Sequence, residues 1–381
     1  MRAGRVTSPH HEPGGTPDSA GGGTATGANT AEATTGANTA GATSSADVAG
    51  GGIAGAGTGG DAASGGRTAG AAPASAEAGI PAVGIPAVDI PELVRLRTQH
   101  PEAIAEAAAR RVRRPLLTGN GRLMIVAADH PARGALGVGE RRFAMANRAD
   151  LLGRLCLALS RPGVDGVLAT ADILDDLLLL GALDGKVVMG SMNRGGLQGA
   201  RFELDDRFTG HRPQDIQRLG FDAGKLLLRI DYDDPGSLNT LESTARAVDE
   251  MAARRLPVFV EPFISRRDAE GRLRNDLSAD AVTRSIAIAS GLGGSSAYTW
   301  LKVPVTDDPD DMARVMETST LPAVLLGGEV GGSAADQAGA YEKWRGALQL
   351  PTVRGLVVGR SLLYPADGDV AAAVDTAVGL L

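Results

Sequence analysis

Strand-like and helix-like patterns alternate eight times between residue 123 and the end of the chain, and this repeat limits the fold more than any single motif does. The candidate strands are Leu123–Ala128, Val164–Ala169, Lys186–Gly190, Lys225–Asp231, Pro257–Glu261, Tyr298–Val303, Ala323–Gly327 and Gly355–Gly359. Helical spacing fills the gaps at 147–160, 172–183, 213–220, 238–255, 279–291, 309–317, 334–348 and 368–380. Eight β-then-α units in about 260 residues match the count and size of a (β/α)8 (TIM) barrel. A doubly wound sheet is the alternative, but "AADHPARGALGVG" after the first strand lacks a G-x-G-x-x-G fingerprint.

In a barrel, alternation along each strand sorts side chains inward and outward. The sixth candidate strand, in "YTWLKVPVTDDPDD", sends Leu301, Val303 and Val305 toward the helices and leaves Tyr298, Trp300 and Lys302 inside. The fourth, "KLLLRID", puts Lys225, Leu227, Arg229 and Asp231 inside. "PVFVEPF" pairs Glu261 with Phe259, and "LMIVAAD" groups Asp129 with Ile125 and Ala127. The inward ionisable set is therefore Lys225, Arg229 and Lys302 against Asp129, Asp231 and Glu261. Such a balance fits a buried ion network without chemistry. Yet Asp129, Asp231, Glu261 and Lys302 fall at the carboxyl ends of strands, where barrel enzymes keep their active sites.

A lysine among other cations in an apolar interior has its pKa pushed down and becomes a neutral amine nucleophile. That chemistry is Schiff-base formation, with neighbouring carboxylates moving protons. The seventh and eighth strands end at Gly327-Gly328 and Gly359-Arg360, and the loops there commonly bind phosphate through bare backbone N–H groups and a cation. His130 is a further candidate substrate contact.

Composition removes other classes. Basic residues are outnumbered 38 to 45, the net charge is −7 and the pI is about 5.4. A nucleic-acid partner is not expected, and Arg110-Arg111-Val112-Arg113-Arg114 reads as the cationic end of a helix. Cys156 is the single cysteine, inside an apolar run, so no disulfide forms within the chain and a cytoplasmic home is favoured. No apolar run reaches the ~18 residues that span a bilayer, and no membrane partner is expected. Residues 1–85, rich in Gly, Ala, Thr and Ser, lack the large apolar side chains that offset ordering entropy and read as a disordered low-complexity tail; residues 86–381 form the barrel domain. A helical segment from Ile90, "IPELVRLRTQHPEAIAEAAARRVRRP", precedes the first strand.

The motifs "IVAADHP", "GKLLLRIDYDDP", "VFVEPF", "WLKVPVTDDP", "VLLGG" and "VRGLVVGRSLLYP" resemble the class I aldolase superfamily of tagatose-bisphosphate, archaeal-type fructose-bisphosphate and deoxyribose-phosphate aldolases over residues 90–381. The resemblance implies that Lys302 forms the Schiff base, that Lys225 and Glu261 assist it as in the tagatose-bisphosphate type, and that Asp129 is the first-strand aspartate. The eighth strand is most similar to the aldolase domain of inositol catabolism, which acts on 5-dehydro-2-deoxy-6-phosphogluconate. Glu261 departs from the archaeal type, which has a tyrosine acid on the fifth strand. The implied partner is a small phosphorylated substrate, with no cofactor and no metal. Barrels of this kind often assemble into homo-oligomers. His100, His130 and His211 are the only histidines of the folded part and show no H-x-H or H-x-x-H spacing for a metal-dependent aldolase. A non-catalytic sugar-phosphate sensor and a phosphosugar isomerase or epimerase remain the competing functions.

Overall fold

The computed structural model describes residues 84–328 and 333–381. Nine strands form one sheet: β1 (Leu123–Ala128), β2 (Gly166–Ala169), β3 (Val187–Ser191), β4 (Ala223–Ile230), β5 (Val258–Arg267), β6 (Leu273–Asn275), β7 (Thr299–Val303), β8 (Ala323–Leu326) and β9 (Val353–Val358). Eight of them run parallel, and pairing of β4 with β5 closes the ring β1-β2-β3-β4-β5-β7-β8-β9. The expected (β/α)8 barrel is the observed fold.

Burial on both faces explains why the strands read as continuous apolar runs. Every residue of β4, "AGKLLLRI", is buried. Leu123, Ile125, Leu168, Met189, Phe259 and Val357 fill the barrel interior. Their sequence neighbours, among them Leu226, Leu228, Val260, Leu301 and Val303, pack outward under the helices. Each such side chain contributes roughly 1.5–3 kcal/mol on leaving water. The alternation expected for Lys225, Glu261 and Lys302 is thus the one observed, because their odd–even partners sit in the helix-facing cluster.

Helices follow the strands in turn: α3 (Arg148–Ser160), α4 (Ala171–Leu179), α5 (Pro213–Arg218), α6 (Gly236–Ala253), α7 (Ala279–Ser290), α8 (Pro309–Met316), α9 (Ala334–Ala347) and, after the short α10 (Arg360–Leu363), α11 (Val370–Val378). Their starts carry side chains that satisfy otherwise unpaired N–H groups. Asp308 accepts from the N–H groups of Asp310 and Asp311, and Ser333 with Asp336 makes a reciprocal capping box.

Three features depart from the expectations. The single helix expected after Ile90 is two, α1 (Ile90–Gln99) and α2 (Ala103–Arg110), divided at His100-Pro101, because proline there supplies no N–H to continue the ladder. The fifth strand runs on to Arg267 and returns as β6 in an antiparallel hairpin, Ser265 facing Asn275. The last helix is preceded by α10. The expected tail, residues 1–85, lies outside the described residues except for Gly84 and Ile85.

Only Arg110 of the basic cluster ends a helix. Arg111 is buried and donates to the carbonyls of Lys186 and Gly220 and to Asp222 at 3.2 Å. Arg113 also pairs with Asp222 at 3.0 Å, and Arg114 with Asp165 at 2.6 Å. These contacts tie the segment after α2 to the amino-terminal ends of β2, β3 and β4, the face away from the candidate site.

One glycine is dictated by the closure of the barrel. Gly355 in β9 has φ 136°, and a Cβ there would lie 2.0 Å from the Leu123 carbonyl oxygen of β1. Gly355→Ala is expected to cost about 2–4 kcal/mol, combining backbone strain with overpacking. Denaturant unfolding checks this, and an unchanged midpoint would refute it.

Candidate active site

Asp129, Lys225, Glu261 and Lys302 reach one cavity of about 350 Å³ at the carboxyl ends of the barrel strands. Each arrives from a different strand. Asp129 follows β1, Lys225 lies in β4, Glu261 in β5 and Lys302 in β7. The register sets Leu227 beside Glu261 and Phe259 beside Trp300, whose rings stack 5.1 Å apart in the layer below.

Glu261 joins the two amines. Its Oε2 accepts from Lys225 Nζ at 2.6 Å, and its Oε1 accepts from Lys302 Nζ. Lys225 Nζ donates in turn to Asp129 Oδ2 at 2.9 Å, and Ser191 Oγ stands 3.5 Å from the same oxygen. Lys225, Glu261 and Lys302 are all buried.

Burial acts on each member and the neighbours then separate them. Burial would raise the Asp129 carboxyl, but the surrounding groups, Lys225 foremost and Lys302 among them, together outweigh it and hold Asp129 well below the usual carboxylate range. Glu261 is likewise held at about 2, burial being overcome by Lys225 and Lys302. Burial opposes the charge on Lys225, yet two adjacent carboxylates raise its pKa. Lys302 goes the other way. Burial lowers its pKa, Glu261 opposes this, and the charge of Lys225 adds to the lowering. Two amines share one carboxylate, and only Lys302 is pushed toward the free base.

His130 opens the short 3-10 helix His130–Arg133 after Asp129, with Nδ1 3.8 Å from Asp129 Oδ1. Burial lowers its pKa to about 3 despite Asp129, so it is a neutral imidazole. Gly327, Gly328, Gly359 and Arg360 line the same cavity. Gly359 permits a close approach, since a Cβ would lie 2.2 Å from the Ala127 carbonyl and 3.3 Å from His130 Cε1. Gly328 has φ 62°.

Two of the expected residues do not join the lysine cluster. Arg229 lines the cavity but donates to Glu203 Oε1 at 2.8 Å and to the Gly195 carbonyl. Asp231 is not among the cavity-lining residues: its carboxylate accepts from Asp233 N at 3.1 Å and its backbone bonds with Ser237, which builds the turn into α6. Alternation past the last residue of a strand fails here because the chain has already left the sheet. Arg133, Arg194 and Glu203 were not legible, since all three lie on connections whose path no periodicity describes. Among the described residues no three His, Cys, Asp or Glu side chains converge as a metal site, and no helix is long and apolar enough to cross a membrane.

The family described as Cgl0159-like matches residues 121–378. The crystal structure of Cgl0159 from Corynebacterium glutamicum is 56% identical, covering 77% of this chain and 98% of that one, with a TM-score of 0.73. A Schiff-base-forming fructose-1,6-bisphosphate aldolase is 19% identical over 73% of this chain and 99% of its own, with a TM-score of 0.51. An archaeal fructose-1,6-bisphosphate aldolase, with its catalytic lysine bound covalently to the carbinolamine intermediate, is 19% identical over 72% and 100%, also at 0.51. These last two likenesses show a shared barrel fold with class I aldolases. No curated protein matches the chain. Matched over most of its barrel and 56% identical to Cgl0159 itself, the chain belongs to the Cgl0159-like family.

Proposed function

We propose that this protein is a class I aldolase that makes or breaks a C–C bond in a phosphorylated sugar or sugar acid through an imine on Lys302. The observation that carries the reading is the division of labour between two buried amines sharing Glu261: Lys225 is held as the ammonium, whereas burial and the charge of Lys225 move Lys302 toward the free base. Amines in that state attack carbonyls.

The reaction then follows from the contacts. Lys302 Nζ adds to the substrate ketone and the carbonyl oxygen takes a proton, giving a carbinolamine. Glu261, in contact with Nζ, receives the amine's excess proton and returns it as the hydroxyl leaves as water. The resulting iminium accepts the electron pair of the bond between the α and β carbons. The β-hydroxyl proton passes to a carboxylate, the aldehyde departs, and the enamine is protonated and hydrolysed. Lys225 keeps Asp129 ionised beside the substrate. Neutral His130 can exchange hydrogen bonds with a substrate hydroxyl. The phosphate is assigned to Gly327, Gly328, Gly359 and Arg360. Among substrates, the resemblance of the eighth strand favours 5-dehydro-2-deoxy-6-phosphogluconate, and the single cysteine favours the cytoplasm.

Borohydride reduction in the presence of ketose phosphates, followed by mass spectrometry, is expected to add substrate or a three-carbon phosphate at Lys302. An adduct at Lys225, or none with any ketose phosphate, would overturn the assignment; an isomerase would give none. Lys302→Arg should fail as Lys302→Ala does, because guanidinium stays protonated. Glu261→Gln should lower kcat by about 10²–10⁴-fold.

The pH dependence has a defined sign. Imine formation requires neutral Lys302, so trapping rates should rise with pH and level off below the ordinary lysine value, since the pKa is lowered. Removing the cation that lowers it, in Lys225→Met, should move this limb to higher pH. A limb that stays in place or moves down would contradict the electrostatic role of Lys225.

Arg360→Ala should raise KM for a phosphorylated substrate about 10- to 100-fold, the loss of one charge-assisted contact. Equal impairment on a substrate without phosphate, together with a lowered Tm, would instead make Arg360 a support of β9.

A further inference from the structure

The cavity has a second cationic wall that the scheme above leaves without a role. Around the closed ring, β3 and β4 stand across from β8 and β9, so Arg229 on β4 lies opposite the Gly327-Gly328 and Gly359-Arg360 turns, with Lys302 on β7 between them. Arg133 joins Arg229 on this wall. It ends the 3-10 helix after β1 and is tied to the long β3–α5 connection by Gln198 N donating to its carbonyl at 2.9 Å.

Two observations mark this wall as incomplete. The Nε atoms of both Arg133 and Arg229 are buried without a hydrogen-bond partner among the described residues. Glu203, the buried carboxylate nearby, is committed to Arg229 at 2.8 Å. Buried donors without partners are costly, and an anion entering the cavity that Arg133 lines would give its guanidinium acceptors. Burial and the charge of Arg229 lower the Arg133 pKa and outweigh the opposing charges of Glu203, Asp129 and Glu261. The other cations at the rim are engaged: Arg194 with Thr209 at 3.0 Å and Arg274 with Asp268 at 3.1 Å.

We propose that Arg133, backed by Arg229, binds a second anionic group of the substrate, a carboxylate or a second phosphate, at the end opposite the sugar phosphate. The proposal deepens the aldolase reading and rests on it for the orientation of the substrate. A planar guanidinium offers paired N–H groups to either anion. The reacting carbon at Lys302 is thereby held from both ends, and a substrate charged at one end only loses this hold.

Calorimetry on the full chain tests it with three probes: fructose 1-phosphate, charged at one end; fructose 1,6-bisphosphate, with a second phosphate; and 6-phosphogluconate, with a carboxylate. At least one two-ended probe should bind the wild type about tenfold or more tightly than fructose 1-phosphate, and Arg133→Gln should bring that ratio close to one. Arg133→Lys should recover part of the ratio, which also answers any failure of Arg133→Gln to fold. Whichever probe shows the effect identifies the second group. Equal affinities for all three probes in the wild type, or an unaltered ratio in Arg133→Gln, would overturn the proposal. Borohydride trapping at Lys302 reads the reaction separately, so loss of the aldolase reading and loss of the Arg133 role give different results.

Discussion

One carboxylate between two buried amines organises this barrel's interior. Among the described residues Glu261 alone bonds to both Lys225 and Lys302, and all three side chains are buried. Burying two amines side by side is unfavourable unless each finds an anion. Asp129 supplies the second one, but to Lys225 only. That contact adds to the asymmetry: Lys225 hydrogen-bonds two carboxylates and keeps its proton, while Lys302 hydrogen-bonds one, and burial with the charge of Lys225 lowers its pKa.

The rest of the fold serves to hold these four side chains in register. Strand pairing fixes Lys225 beside Phe259 and Leu227 beside Glu261, and the Phe259–Trp300 stack fills the barrel beneath them. Stability is concentrated away from the chemistry, in the helix-facing cluster and in the arginines that latch the segment after α2 to Asp165 and Asp222 at the opposite end. At the site end Gly359 lets its backbone pass close to the Ala127 carbonyl, and Gly328 turns the chain at φ 62°. This separation lets connections vary while the barrel persists.

Much of the site was legible because strand alternation is a strict rule. Once Leu301 and Val303 are placed outward, Lys302 has to face in, and the same logic places Lys225 and Glu261. Reading failed where that rule stops. Asp231 lies one residue beyond β4 and turns into the loop before α6. Arg229 faces inward as expected, yet its partner Glu203 comes from the irregular β3–α5 connection, whose course depends on glycines at positive φ, Gly195, Gly196 and Gly199. Arg133 was hidden for the same reason, on a short 3-10 turn rather than on a strand. The β5–β6 hairpin was missed because "ISRRDAEGRLRN" is polar and carries no apolar alternation.

Lysine is scarce here, since only Lys186, Lys225, Lys302 and Lys343 occur among 38 basic residues, so each amine can be followed individually. A pH titration of the protein labelled with ¹³C at the lysine ε-carbons, with signals assigned by their loss in Lys225→Met and Lys302→Met, measures the two pKa values directly. Lys302 should titrate below the ordinary lysine value and Lys225 above it. Lys302 titrating at or above the ordinary value, with Lys225 below it, would contradict the assignment of Lys302 as the nucleophile.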